Sequence, residues 1–226
     1  MGVFIASAIL LLWTGHLFYA LSQVEINPVS PLFYLHILIQ TYLFTGLFIT
    51  GHDAMHGTVS RFRPVNNSIG FISVFLYAGM WYPRLIKNHR LHHQFPGTEN
   101  DPDYAPGNQN FFAWWARFMM KYLTVIQLVL MAVLFNIFKI WFPVSGILVF
   151  WVLPAVLSTF QLFFFGTYLP HKKPHTEGMQ PHNARTLKKN HIWAMMSCYF
   201  FGYHYEHHES PGTPWWQLYK SKAGTA

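Results

Sequence analysis

Long apolar runs separated by short polar breaks make up most of the chain. Residues 3–22 are almost wholly apolar, interrupted only by His16 and a few hydroxyl groups, and match the ~20 residues that a helix needs to cross a bilayer core. Residues 22–31 form a polar turn with two prolines and no basic residue. A second run, 32–51, flows without a proline into His52 and His56, which places those histidines at the end of a membrane helix or just beyond the lipid. Arg61, Arg63, Pro64, Asn66 and Asn67 mark a break. Residues 69–82 are apolar but only 14 long, which suits an interfacial or re-entrant helix. A loop at 94–110 contains Pro96, Gly97, Pro102, Pro106 and Gly107, and an aromatic stretch with Arg117 at 111–119 reads as an interfacial anchor. The runs 120–142 and 147–169, divided by a tight turn at 143–146, are expected as the third and fourth spans. The pattern predicts an all-α integral membrane protein, with four transmembrane helices, a histidine-rich helical cap and one domain over residues 1–226.

Composition agrees. Hydrophobic residues are 52% of the chain and charged residues 10%, against about a quarter charged in soluble domains. With a net charge of +7, a soluble protein would invite a nucleic-acid partner. Here the basic residues have a topological use instead, so the expected partner is the lipid bilayer and no nucleic acid. Lys and Arg concentrate in 61–90, 117–121, 172–189 and 220–222, while the turns at 22–31 and 139–146 hold only Lys139. The positive-inside rule then puts both termini and all the histidine clusters in the cytoplasm. No Lys or Arg precedes Arg61, which argues for a retained first helix over a signal peptide. The single Cys198 excludes an internal disulfide and thiolate-rich metal sites.

Three boxes carry the candidate chemistry: His52-Asp53-Ala54-Met55-His56, His89-Arg90-Leu91-His92-His93 and His204-Tyr205-Glu206-His207-His208. They hold eight of the 14 histidines. Residues three and four apart share one helix face, so each box can aim two or three imidazoles at one point. A lone helical histidine is ordinarily a surface or hydrogen-bonded core residue, but three such boxes in so uncharged a chain point to metal binding. Imidazole suits iron, copper, zinc and nickel, and eight donors exceed what one ion takes. The soluble di-iron pattern is rich in Glu, H-E-x-x-H is absent, and a structural zinc site closes with four ligands. What remains is a redox site of two metals beside a hydrocarbon-filled pocket.

The boxes resemble those of the membrane-bound fatty-acid desaturase and hydroxylase superfamily, and the surrounding strings resemble the bacterial-type β-carotene ketolases over nearly the whole chain. The resemblance rests on Thr45-Gly46-Leu47-Phe48-Ile49-Thr50 before the first box and on His92-His93 with Asp101-Pro102-Asp103. It continues in Phe165-Gly166-Thr167-Tyr168-Leu169-Pro170-His171, in Phe201-Gly202-Tyr203 before the third box and in Thr213-Pro214-Trp215-Trp216. It implies a desaturase-like fold and two non-haem Fe ions held by His52, His56, His89, His92, His93, His204, His207 and His208. It also implies a ninth ligand from the loop after the fourth span. His171 fits best, with His175, His182 and His191 as rivals. O2 would be the co-substrate, a ferredoxin-like protein the electron donor and β-carotene the substrate. The reaction implied is double hydroxylation of C4 of the β-ionone ring and dehydration to the ketone.

Asp53, Asp101, Asp103, Glu206 and Glu209 are candidates to orient ligand imidazoles through their second N–H. Asp101 and Asp103 have an equal claim as turn formers in a proline-rich loop, and Arg90 is placed to pair with one of these carboxylates. His16 and His36, inside the spans, read as polar packing residues. A carotenoid 3-hydroxylase or a fatty-acyl desaturase would share the boxes. A metal transporter or proton-relay protein is the non-enzyme alternative, though it would want its ionisable groups near the membrane midplane.

Overall fold

The computed structural model describes residues 1–222, and every regular element among them is helical. Helix α1 (Gly2–Gln23) ends where Val24 turns extended, and Pro31, whose missing N–H costs nothing in a first turn, opens α2 (Pro31–Met55). Helix α3 (Arg63–Ala78) stops at Gly79, whose φ of +63° suits glycine. Helix α4 (Tyr82–Gln94) leaves it at a bend of 98°. Helices α5 (Phe111–Tyr122) and α6 (Val125–Phe138) are bent by 89°. Helix α7 spans Val144–His171. Three short helices follow, α8 (His191–Cys198), α9 (His204–Glu209) and α10 (Leu218–Lys222).

Helices α1, α2 and α7 are each long and apolar enough to cross a membrane, and counting each bent pair as a span raises the number to five. Exposed apolar side chains such as Phe4, Leu11, Leu35, Leu38, Ile126 and Val129 form the surface that lipid covers. The run 120–142, expected as the third span, is not one continuous helix. Leu123 turns extended, and the Thr124 hydroxyl caps a new helix by accepting from the Gln127 N–H at 3.1 Å. The 14 residues of α6 cover only about 21 Å at 1.5 Å per residue. Gln127, its one buried side chain, donates to the Ala78 carbonyl at 2.7 Å and ties α6 to the end of α3.

Helix α2 is the axis of the fold, with Phe44, Leu47 and Ile49 fully buried. At Gly51 a Cβ would lie 2.4 Å from Val74, so the missing side chain sets the approach of α3. Polar side chains tie α2 to its other neighbours. Thr45 donates to Gln161 Oε1 of α7 at 2.5 Å, and Gln161 Nε2 donates to the Ser197 carbonyl of α8 at 2.5 Å. His16 donates to Gln40 Oε1 at 2.5 Å and lies 3.1 Å from His36, which makes both intramembrane histidines a link between α1 and α2. Helix α7 contains two π-helical turns, Leu148–Val152 and Phe164–Tyr168, each ending two residues before a proline that cannot donate to the ladder.

The second π turn contains Gly166, where a Cβ would lie 2.0 Å from the Phe201 ring. That ring packs 4.9 Å from the His52 ring and 5.4 Å from the His204 ring. Gly166→Ala is therefore expected to destabilise the protein by about 1–3 kcal/mol through overpacking, read as a lower thermal midpoint in detergent. Gly15→Ala, with nothing within 4 Å of the added carbon, should leave the midpoint unchanged or raised; equal midpoints for the two variants would contradict the packing argument.

Candidate metal centre

Four separate elements deliver nine imidazoles to one place. His52 lies in the last turn of α2 and His56 caps it, where Gly57 at φ +75° turns the chain away. His89, His92 and His93 lie on one face of α4, and His171 is the last residue of α7. His204, His207 and His208 come from α9. Helix α9 is only one and a half turns long, so its position depends on what precedes it. Helix α8 ends with Tyr199 and Phe200 both at positive φ, +49° and +60°, and their N–H groups return to the carbonyls of Met195 and Ala194, respectively. This tight reversal, made without glycine, sends Phe201 under the centre and starts α9 beyond it.

The imidazoles form two groups. Ring nitrogens of His52, His56, His89 and His207 all lie within 4.8 Å of one another, as do those of His92, His171, His204 and His208. In the first group His89 Nε2 is 2.7 Å from His56 Nε2, and His93 Nε2 is 3.0 Å from His207 Nε2. The His93 ring is also 4.3 Å from that of His208, so it stands between the groups. In the second, His208 Nε2 is 3.1 Å from both His92 Nε2 and His204 Nε2.

Hydrogen bonds on the outer ring edge decide which nitrogens face inward as lone pairs. His171 Nδ1 donates to the Asn183 carbonyl at 3.0 Å, leaving Nε2 buried and without a partner. His92 Nδ1 donates to both carboxylate oxygens of Asp101 at 3.0 Å, which leaves Nε2 facing the second group, 3.1 Å from His208 Nε2. Burial, reinforced by the neighbouring imidazoles, holds His204, His207 and His208 well below the ordinary imidazole range, so all three are neutral. A neutral imidazole has one donor and one acceptor, and converging buried lone pairs repel unless a cation lies among them. Both groups therefore fit a metal that favours imidazole nitrogen.

The carboxylates divide the surrounding work. Burial alone would raise the Asp101 carboxyl, but His92 and the N–H groups of Asp103 and Gly97 outweigh it and hold it below its ordinary value. Asp101 thus orients a histidine and shapes a turn at once. Asp53 accepts from the Trp215 N–H at 3.0 Å and lies 3.8 Å from His52 Nδ1, so it clamps the C-terminal segment beneath the first box. Asp103 accepts from the Tyr122 hydroxyl at 2.5 Å. It also belongs to a third potential cation group with His92 and Asp101, but His92 and Asp101 already hold each other and the Asp103 carboxylate holds Tyr122. Glu206 is buried with Oε2 unpartnered, while Glu209 is exposed and pairs with His182 at 2.9 Å. Arg90 is exposed, with no carboxylate in ion-pair reach among the described residues. His175 donates to the His171 carbonyl at 2.8 Å, His182 stacks outside His208, and His191 pairs with Tyr203 at 2.9 Å, so among the four loop candidates only His171 enters a group.

A cavity of about 560 Å³ opens beside both groups. His52 and His89 border it from the first, His92 and His204 from the second. Its remaining wall is overwhelmingly apolar, with Phe48, Phe118, Trp151, Phe163 and Phe201 among the larger side chains. The paired Asp103 and Tyr122 also line it. Sequence reasoning passed over Tyr122, which carries no motif and lies in the apolar run 120–142 read as the third span.

Residues 27–139 and 120–223 match the family described as Fatty acid desaturase. The chain is 39% identical to a Beta-carotene ketolase of Paracoccus sp. (strain PC1), over 80% of this chain and 76% of that protein. It is 35% identical to a Beta-carotene ketolase of Haematococcus lacustris, over 96% of this chain and 77% of that protein. It is 40% identical to a Zeaxanthin 4-ketolase of Chlamydomonas reinhardtii, over 80% of this chain but 42% of that longer protein. A chain that matches this family model over most of its length, with its histidine boxes gathered at one centre, belongs to the fatty acid desaturase family.

Proposed function

We propose that the protein is a membrane di-iron oxygenase that converts β-carotene to 4-keto carotenoids, echinenone and canthaxanthin. The observation that carries this reading is the likeness to ketolases along most of the chain. The apolar cavity bordered by both imidazole groups gives it a physical site. His52, His56, His89, His93 and His207 would hold one iron and His92, His171, His204 and His208 the other. Asp101 orients His92, Asp53 steadies the first box, and Asp103 and Glu206 lie in the surrounding layer. Iron bound there would supply the O2 activation that cleavage of an allylic C–H bond requires.

The chain's own part is to place C4 beside the metal site and keep water away, which the aromatic wall does. Each hydroxylation consumes one O2, two electrons and two protons; one oxygen stays on C4 and the other leaves as water. After two rounds the gem-diol loses water to the ketone. The electrons would come from a ferredoxin-like donor, for which the exposed Arg61, Arg63, Arg84 and Lys87 offer a basic docking face. A 3-hydroxylase or an acyl desaturase would use the same boxes, but the ketolase likeness favours C4 oxidation.

Three outcomes test this reading. Membranes containing the protein, given β-carotene, reduced ferredoxin and O2, should form the 4-ketones with a small amount of 4-alcohol, identified by mass and absorption. Only 3-hydroxylated product, an added double bond without oxygen, or independence from O2 would refute it. Purified protein should carry about two irons per chain, and Asp101→Asn should weaken metal retention by about 10- to 100-fold in a chelator titration, with the exposed Glu99→Gln as control; equal retention in both would remove Asp101 from the metal's support.

Topology is the third. The boxes at the ends of α2 and α4 meet, so the α3–α4 excursion returns to its starting side. With α1, α2, the bent α5–α6 pair and α7 as crossings, the whole chain reads as one membrane-embedded domain, with four spans and both termini and the metal site cytoplasmic. In a background lacking Cys198, Thr98→Cys and Gly178→Cys should label from the cytoplasmic side and Asn27→Cys from the other. Labelling of 27 and 98 from one side would overturn it.

A further inference from the structure

Two oxidations at one carbon raise a retention problem that an apolar cavity does not solve. The first product is an alcohol, and a hydroxyl buried among aromatic rings without a partner loses its bonds to water. Apart from the imidazoles, the polar residues lining the cavity are Asp103 and Tyr122, the hydroxyls of Tyr77, Thr159 and Thr167, and the amides of Gln127 and Asn136. Asp103 lies close to the imidazoles: an oxygen of its carboxylate and a ring nitrogen of His92 are within 4.8 Å.

The direction of the hydrogen bond between these two residues matters. The Tyr122 hydroxyl lies 2.5 Å from Asp103 Oδ1. A phenol has one proton, and an ionised carboxylate only accepts, so that proton is committed to Asp103. Asn88 acts on the same phenol, and a phenol oxygen has more than one acceptor direction. Asp103 is itself steadied by two backbone contacts: its N–H donates to Asp101 Oδ1 at 2.8 Å, and its carbonyl accepts from Trp114 Nε1 at 2.8 Å. What the pair offers the cavity is a fixed acceptor with no proton to give. The other amides of the lining are engaged elsewhere, Gln127 Nε2 with the Ala78 carbonyl and Asn136 Nδ2 with the Ala132 carbonyl.

We propose that Tyr122, locked by Asp103, is the acceptor that holds the hydroxyl of the half-oxidised ring and so selects substrate by its stage of oxidation. An alcohol or gem-diol can donate to the phenol oxygen. The starting hydrocarbon has nothing to donate, and the ketone has lost its O–H. The same contact retains the 4-alcohol for its second oxidation and loses its grip on the finished product. The proposal rests on the ketolase reading for the identity of the ring.

Binding to metal-free protein in detergent tests it directly, through quenching of tryptophan fluorescence by β-carotene, its 4-hydroxy derivative and echinenone. The wild type should bind the alcohol more tightly than the ketone; equal affinities would overturn the proposal. Tyr122→Phe, which keeps the ring, should lower the alcohol-to-hydrocarbon affinity ratio by about three- to tenfold, the worth of one hydrogen bond. In iron-loaded protein the same variant should raise the share of free 4-alcohol among C4-oxygenated products several-fold. If Tyr122→Phe does not elute as folded protein, Asp103→Asn decides. Its carboxamide can donate to the phenol oxygen and free the phenol proton, so the alcohol-over-ketone preference should shrink. An unchanged ratio in the folded variant refutes the proposal. If the wild type oxygenates no C4 at all, the ketolase reading fails separately, while the binding ratios still judge Tyr122.

Discussion

Nine imidazoles brought together, the closest inward nitrogens about 3 Å apart, are the constraint on which the rest of the structure depends. Neutral imidazoles in this arrangement repel through their lone pairs, and protonated ones would repel more strongly in so dry a place. Two of the rings, His171 and His92, are held there by hydrogen bonds at their outer edges. The Asn183 carbonyl and the Asp101 carboxylate each accept a hydrogen bond from a ring N–H and leave the ring's other nitrogen facing inward. Lone pairs already aimed are the condition for binding a metal without first reorganising the site.

That arrangement sets demands on the packing around it. The rings come from four stretches of chain distant in sequence, so each stretch has to be anchored independently. Helix α2 is anchored by burial along most of its length and by the Thr45–Gln161–Ser197 chain of hydrogen bonds. Helix α9 is too short to hold itself and relies on the reversal at Tyr199 and Phe200 before it and on the Asp53–Trp215 bond after it. Phe201 fills the space between Gly166 and the rings of His52 and His204, so a packing contact in α7 helps set the position of the first and third boxes.

The two bends have a common consequence. Helices that ran straight across the lipid would close against α2 and α7. The 98° turn between α3 and α4 and the 89° turn between α5 and α6 instead leave an apolar space between the helices. Its wall is continuous with the hydrophobic interior, while its histidine-lined side meets the polar cap. Asp103 and Tyr122 lie in the wall of this space.

The sequence alone determined much of this. Apolar run length marked α1, α2 and α7 as membrane helices, because crossing lipid requires a continuous stretch with every backbone group satisfied within it. Spacings of three and four residues showed that each box could aim its rings at one point, because that periodicity belongs to the helix itself. Other features depended on contacts between distant residues. The break at Thr124 was hidden because an apolar run reads alike whether or not it bends, and a capping hydroxyl within it is a weak local signal. The division of the rings into two groups and the Asp103–Tyr122 pair join residues far apart in the chain. No periodicity records which side chains meet once helices cross, so those relations were decided only by the tertiary packing.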